Sequence, residues 1–199
     1  GDVRETIQPR SASFDKLIWQ GPGEDKGQRG GFQIAVEAPI PESVRARMAD
    51  DKRQFTTVRY EIEIGFDAST NEIGLDHETL WLRASGEDQI SVQKDMFPMV
   101  PEDAPSIFVG TSKRGFKVVM KKTPGGNDNY YTEGAKSYAP SFRLGRTKLG
   151  LAHIPADEAS FPVSSWFRDM LEKGVQNVVL NSQIIRQPSP PGLGLRFQS

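Results

Sequence analysis

The chain has 199 residues, which is enough to bury a hydrophobic core within one domain. Its 25 basic and 26 acidic residues nearly cancel, so no global field favours nucleic acid, although a local basic patch is compatible with the composition. Cysteine is absent, which excludes disulfides and thiolate metal sites and suits a cytoplasmic protein. No apolar run approaches the length of a membrane span, so we expect no membrane partner.

The first quarter of the chain predicts two strands and a short helix. Residues 14–19 are a short strand candidate, and the alternation of apolar and polar residues over 32–36 predicts a second strand. A proline that fits the first turn favours a helix over 41–49, with Val44 and Met48 on one face.

The clearest long β-hairpin follows. Over 56–66 apolar residues alternate with mostly charged ones, which places an apolar row and a charged row on opposite faces. Residues 67–71 have turn chemistry, and 72–84 returns as the partner strand. Along 72–84 the apolar residues change from one face of the strand to the other, so a bulge or a segment buried on both faces is predicted near His77 and Glu78.

Beyond the hairpin the elements are shorter. Strands are predicted at 89–93, at 107–109 and at 116–120, the last with its lysines on the outward side. Residues 123–134 are rich in turn formers, and 135–143 are irregular.

The strongest helix signal begins at Pro162. Apolar residues recur at i, i+3, i+4, i+7 and i+8 from Val163 to Leu171, and Gly174 supplies a stop. Residues 175–180 then read as a buried strand.

Strands dominate and two helices accompany them, which predicts the α+β class. We expect a largely antiparallel sheet with a short N-terminal helix and one amphipathic helix packed on the sheet. Tyr60, Ile62 and Ile64 should face a core that includes the helix face containing Trp166. A single domain over 1–199 is the simplest organisation.

The motifs of common catalytic sites are incomplete. Residues 110–117 approach a phosphate-binding loop, but Phe116 stands where the lysine is needed, which favours a tight turn between strands. A later apolar strand ends in Asn181, which cannot act as a general base. His77 and His153 have no partners at ligand spacing, so no catalytic residue and no metal site are predicted.

One region mixes aromatic and basic residues. Lys121, Lys122, Tyr130 and Tyr131 could stack nucleobases and neutralise phosphate. The alternative is a solvated hairpin with ordinary surface charges, which is favoured because no nucleic-acid-binding motif accompanies the pattern.

Several stretches together resemble the AAA family ATPases of the RecF/SMC-like, ABC-headed class. The segments that carry the resemblance are 14–19 (FDKLIW), 58–64 (VRYEIEI), 78–80 (ETL), 161–167 (FPVSSWF) and 181–190 (NSQIIRQPSP). In that class the Walker A loop precedes a β-rich lobe like this one, and the signature motif and the Walker B strand follow it. The resemblance implies an excised segment between Walker A and the signature, with 1–13 and 187–199 as loose ends.

The resemblance also implies a function. The chain would be a non-catalytic subdomain that supports the nucleotide-binding head, with ATP and Mg²⁺ bound by the parent protein and not by this segment. Its partners would be the remainder of the ATPase head, a second copy through head dimerisation, and DNA for the parent. A nucleotide-sensing glutamine loop would lie near its end, with Gln183 or Gln187 beside Arg186 as candidates. The alternatives are a nucleic-acid-binding or a protein-interaction β-rich module.

Overall fold

The strands in the described part of the chain form one antiparallel meander, in which each strand neighbours the next one in sequence. The computed structural model describes residues 3, 5, 31–67, 70, 72–85, 107–110, 114–123 and 125–175. The strands are β1 (Gly31–Pro39), β2 (Phe55–Asp67), β3 (Glu72–Ala84), β4 (Phe116–Lys122), β5 (Asp128–Tyr130) and β6 (Ser141–Phe142). Helices form at α1 (Glu42–Arg45) and α2 (Pro162–Gly174), Val3 and Glu5 are also helical, and 3₁₀ turns lie at Asp50–Lys52 and Leu151–His153. The predicted α+β class is confirmed.

The β2–β3 hairpin is the framework of this sheet. Its two strands pair over thirteen residues each, as the alternation predicted. Glu63 faces His77 while Ile64 faces Leu75, so Asp76 is the extra residue of a bulge. The predicted bulge therefore exists, one residue before the expected position.

The apolar face of the hairpin packs against α2. The Tyr60 ring meets Phe167 edge to face, with ring centroids 6.1 Å apart, and Ile62 lies partly buried against the same cluster. Ile64 instead packs with Leu75 in a second, smaller cluster. The prediction that the apolar row faces the helix is thus correct for Tyr60 and Ile62 and wrong for Ile64.

Several short elements differ from the sequence prediction, and one of them is β6, which lies within the stretch 135–143 that was predicted as irregular. Residues 107–110 form no strand, because their backbone groups bond to side chains of the sheet. Residues 128–130, predicted as a turn, form β5 against the end of β4. The helix predicted over 41–49 is α-helical only over Glu42–Arg45, although Val44 and Met48 are both buried as expected.

The lysines of β4 do not all face outward. Lys121 is exposed and Lys117 is half-buried, but Lys122 is only 4% exposed. The β3–β4 register shifts between Leu80 and Trp81, which changes the face that successive β4 residues occupy.

Several predicted elements lie outside the described residues. These are the strands at 14–19, 89–93 and 176–180. Val175, which the last prediction included, is 64% exposed and has an extended conformation directly after α2. Within the described part of the chain, neither the length nor the hydropathy of any helix suffices for a membrane crossing.

The depth of Phe167 in the core leads to a stability prediction. Phe167→Ala should lower the free energy of unfolding by about 3–5 kcal/mol, because a fully buried ring is replaced by a cavity. Trp166→Ala should cost less than this, because the indole is only partly buried. Urea denaturation of both variants measures the difference. A Trp166→Ala variant that is the less stable of the two would contradict this packing.

Candidate functional site

Three fully buried glutamates fasten segments of the chain to the sheet. Glu61 lies on β2, Glu78 on β3, and Glu133 in the segment that follows β5. An ionised carboxylate in the interior is stable only if donors surround it. Each of the three accepts hydrogen bonds from backbone N–H groups outside the sheet, so all three serve as structural acceptors.

Glu61 attaches the segment 107–110. Its Oε1 accepts from Arg59 Nε at 2.6 Å and from the Val109 amide at 2.9 Å, and its Oε2 accepts from Trp81 Nε1 at 2.9 Å. Arg59 also donates to the carbonyl of Ile107. The charged row of the hairpin is therefore buried beneath this segment at its centre.

His77 belongs to the same face and makes a packing contact. Its ring stacks on Phe108 with centroids 4.3 Å apart, and Nε2 lies 4.0 Å from Glu61. Burial lowers the pKa of His77, while the charge of Glu61 acts in the opposite direction. Among the described residues no group of three or more His, Cys, Asp or Glu side chains is placed to hold a metal ion.

Glu78 binds the loop that precedes the 3₁₀ turn at Leu151–His153. It accepts from the Tyr60 hydroxyl at 2.8 Å, from the Gly150 amide at 2.7 Å and from the Leu151 amide at 3.0 Å. Lys122 Nζ lies 3.9 Å away. Burial raises the pKa of Glu78, and these hydrogen bonds partly oppose the rise.

Glu133 caps the N-terminus of α2, although it lies about 30 residues earlier in the sequence. It accepts from the Val163 amide at 2.6 Å, from the Ser164 amide at 3.2 Å and from the Ser164 hydroxyl. The residue at the N-cap position, Phe161, has no side-chain cap, so Glu133 supplies the acceptor and complements the helix dipole. Burial raises the pKa of Glu133 to about 7, against the effect of the Ser164 and Val163 hydrogen bonds.

An open groove of about 730 Å³ lies beside β4, and it is called the basic groove here. Its lining residues are Lys52, Phe116, Lys117, Val118, Lys121, Tyr131, Thr132, Ser137, Tyr138 and Ala139. β5 pairs with β4 only over residues 120–122, and the chain then crosses at Tyr131, whose amide donates to the Val119 carbonyl at 2.9 Å. The groove occupies the space next to the earlier part of β4.

Three lysines give the groove its charge. Two hydrogen bonds position the Lys52 side chain: its Nζ donates to the carbonyls of Thr132 at 2.8 Å and Gly134 at 3.4 Å. Within the described part of the chain, ion pairs of lysines involve Lys122 and Lys173 and none of the groove lysines. Partial burial and then the nearby charge of Lys52 lower the pKa of Lys117, while Asp51 opposes the change.

Two tyrosines supply aromatic surface in the same groove. Tyr131 is 42% exposed and Tyr138 is 40% exposed. The Tyr138 hydroxyl donates to Asp157 at 3.0 Å, and its ring meets Phe161 edge to face at 6.0 Å. Tyr138 is therefore held in place by contacts within the protein.

The structure divides the four residues predicted to contact nucleic acid. Lys121 and Tyr131 line the basic groove. Lys122 instead points inward and pairs with Asp128 at 2.6 Å, and Tyr130 is fully buried and donates its hydroxyl to the Gly150 carbonyl at 3.0 Å. Lys122 and Tyr130 are thus not surface contacts, because the parity of β4 and β5 turns them into the core.

Sequence reasoning missed two of the groove lysines as site residues. Lys52 sits in a 3₁₀ turn far along the chain from Lys117, and only the tertiary fold brings them together. The candidates Gln183, Arg186 and Gln187 lie outside the described residues.

Comparisons with protein-family models, with curated proteins and with solved structures gave no match. The resemblance to RecF/SMC-like ATPases therefore stays a prediction.

The buried pair of Arg59 and Glu61 allows a direct comparison with a surface pair. Arg59→Met should lower the free energy of unfolding by about 3–5 kcal/mol, because Glu61 loses its charge partner inside the protein. Arg47→Met, which breaks the exposed pair with Glu158, should cost less than about 1 kcal/mol. Guanidinium denaturation measures both. Equal effects would contradict the buried position of Glu61.

The environment of Glu133 predicts a pH dependence. The folded protein binds a proton at Glu133 with a pKa of about 7 and the unfolded chain binds it near 4.5. The folded state therefore carries the extra proton between these values, and the free energy of unfolding falls as the pH rises through this window, by about 3 kcal/mol in total.

Glu133→Gln tests this dependence, because glutamine stays neutral. Urea denaturation across the window should give a flatter profile for the variant than for the wild type. Glu78 and His77 titrate in both proteins, so the difference between the two profiles reports Glu133 alone. Parallel profiles would show that Glu133 keeps an ordinary pKa.

Proposed function

We propose that this chain is a non-catalytic, β-rich lobe of a RecF/SMC-like ATP-binding protein, which supports the nucleotide-binding head and relays its nucleotide state. One observation carries the proposal. Three of the segments that resemble the family, 58–64, 78–80 and 161–167, meet at one point of the fold. Tyr60 of the first segment bonds to Glu78 of the second and packs against Phe167 of the third.

The convergence agrees with the resemblance, since 161–167 lies far along the chain from the hairpin that contains 58–64 and 78–80. Leu80, Phe161 and Val163 from these segments are also fully buried in that core. A densely packed core moves as a unit, which is the property that a relay between a nucleotide site and another surface needs.

Among the described residues, no group of three or more His, Cys, Asp or Glu side chains is placed to hold Mg²⁺. A nucleotide site needs a lysine and backbone N–H groups around the phosphates, together with carboxylates that reach the metal. The fully buried carboxylates Glu61, Glu78 and Glu133 already accept hydrogen bonds from the chain and are withdrawn from solvent. In this proposal, ATP and Mg²⁺ are bound by the remainder of the head.

A second candidate function is the binding of an anionic partner by the basic groove. The observation that favours it is the set of three groove lysines without an ion pair in the described structure, beside two half-exposed tyrosines. Charged side chains usually lie dispersed in solvent, so their convergence in a groove favours a binding role.

Calorimetry of the 199 residues with ATP and Mg²⁺ tests the non-catalytic role. We expect no binding in the low-micromolar range and no hydrolysis, because the lysine, the backbone cradle and the metal ligands must act together. Magnesium-dependent binding in that range would refute the proposed lobe.

The relay role is tested in the full-length protein. Gln183→Ala and Gln187→Ala, made singly, should include one variant with a reduced ATPase rate and nearly unchanged nucleotide affinity. Gln54→Ala, at an exposed glutamine in a surface turn, is the matched control and should leave the rate unchanged. If both test variants hydrolyse ATP like the wild type, the sensing role is wrong.

A further inference from the structure

We propose that the basic groove binds single-stranded nucleic acid, with bases stacked on Tyr131 and Tyr138 and phosphates held by Lys52, Lys117 and Lys121. This inference rests on the second candidate function, the binding of an anionic partner. It is independent of the ATPase relay.

The positive charge of the groove favours a polyanion as the ligand. Three lysines line one concavity, and partial burial followed by the nearby charge of Lys52 lowers the pKa of Lys117. Asp51 is the acidic group that acts on Lys117 in the opposite direction. A chain of phosphates would neutralise all three lysines and release condensed counterions, which is a strong source of affinity.

The position of Lys52 shows that this charge is built into the fold. Its two carbonyl partners, Thr132 and Gly134, flank Glu133, whose carboxylate is fixed to the N-terminus of α2. The carbonyl oxygens that accept these bonds carry no net charge, and Glu133 is an acidic group that interacts electrostatically with Lys52. The ammonium group is thus held at the groove and is not free to move into bulk solvent.

The tyrosines select among possible polyanions. Both rings are about half exposed in the groove, and the Tyr138 ring is fixed by Asp157 and Phe161. An aromatic ring that is already oriented can stack on a nucleobase with little loss of conformational freedom. Every base presents a π-face, so this surface accepts bases with little sequence preference.

A single strand fits this groove better than a duplex or an acidic peptide. A duplex stacks its bases on one another and leaves no free base face for Tyr131 and Tyr138. An acidic peptide would match the lysines but would leave the tyrosine faces without a comparable partner. A groove of about 730 Å³ also holds only a short stretch of one strand.

Fluorescence anisotropy with a labelled oligothymidylate of about ten nucleotides tests the proposal. Over a series of salt concentrations, Lys121→Ala should reduce the slope of log affinity against log salt by about 0.7, the value for one phosphate of a single strand. Tyr131→Leu should weaken binding roughly five- to hundredfold, whereas Tyr131→Phe should bind like the wild type because the ring is kept.

Lys148→Ala is the matched control, because Lys148 is an exposed lysine outside the groove lining. It should leave the affinity within about twofold and the salt slope unchanged to within about 0.2. Circular dichroism of each variant establishes that the fold is intact. Binding that responds to Lys148→Ala as strongly as to Lys121→Ala would overturn the proposal, since it would show a diffuse electrostatic contact.

Two further probes separate the ways in which the proposal can fail. A blunt duplex should bind more weakly than the oligothymidylate and should not respond to Tyr131→Leu. Poly-glutamate should also bind more weakly. If poly-glutamate binds more tightly and depends on Lys121, the nucleic-acid ligand is wrong while the anion-binding function survives. If no probe binds, both are wrong.

Discussion

Hydrogen bonds from backbone amides to buried carboxylates hold this fold together outside its sheet. The meander alone leaves the segment 107–110, the loop at Gly150 and the helix α2 without strand partners. Glu61, Glu78 and Glu133 each attach one of them through an amide donor. Loss of either partner would leave a buried charge or a buried donor unsatisfied, which costs more than an ordinary hydrogen bond contributes.

The hydrogen-bonded carboxylate of Glu133 also positions one wall of the basic groove. Glu133 is fastened to α2 through its side chain, and its backbone amide donates to the Ser160 carbonyl at 2.8 Å. The carbonyls of the residues on either side of it, Thr132 and Gly134, hold Lys52 at the groove. The helix cap and the groove wall are therefore neighbours along one short stretch of chain. A displacement of α2 would shift the carbonyl groups that hold Lys52.

Much of the fold was predictable from local patterns. The exceptions are residues whose surroundings are set by segments that lie far along the chain. Alternation predicted β2, the turn at 67–71 with the apolar residues after it predicted β3, and the helical period predicted α2. Arg59 and Glu61 belong to the charged row, yet they are buried by a segment that lies far along the chain. Lys121 and Tyr131 of the basic groove were predicted from one aromatic and basic stretch of sequence, whereas Lys52 joins them only in the folded protein.

Amide hydrogen exchange of the wild-type protein, followed by NMR, tests most directly whether the buried carboxylates fasten these segments. The account predicts that the amides of Val109, Gly150 and Val163 exchange as slowly as those inside the β2–β3 hairpin, because each is hydrogen-bonded to a buried carboxylate. Exchange of these three amides at the rates of exposed turns would contradict it.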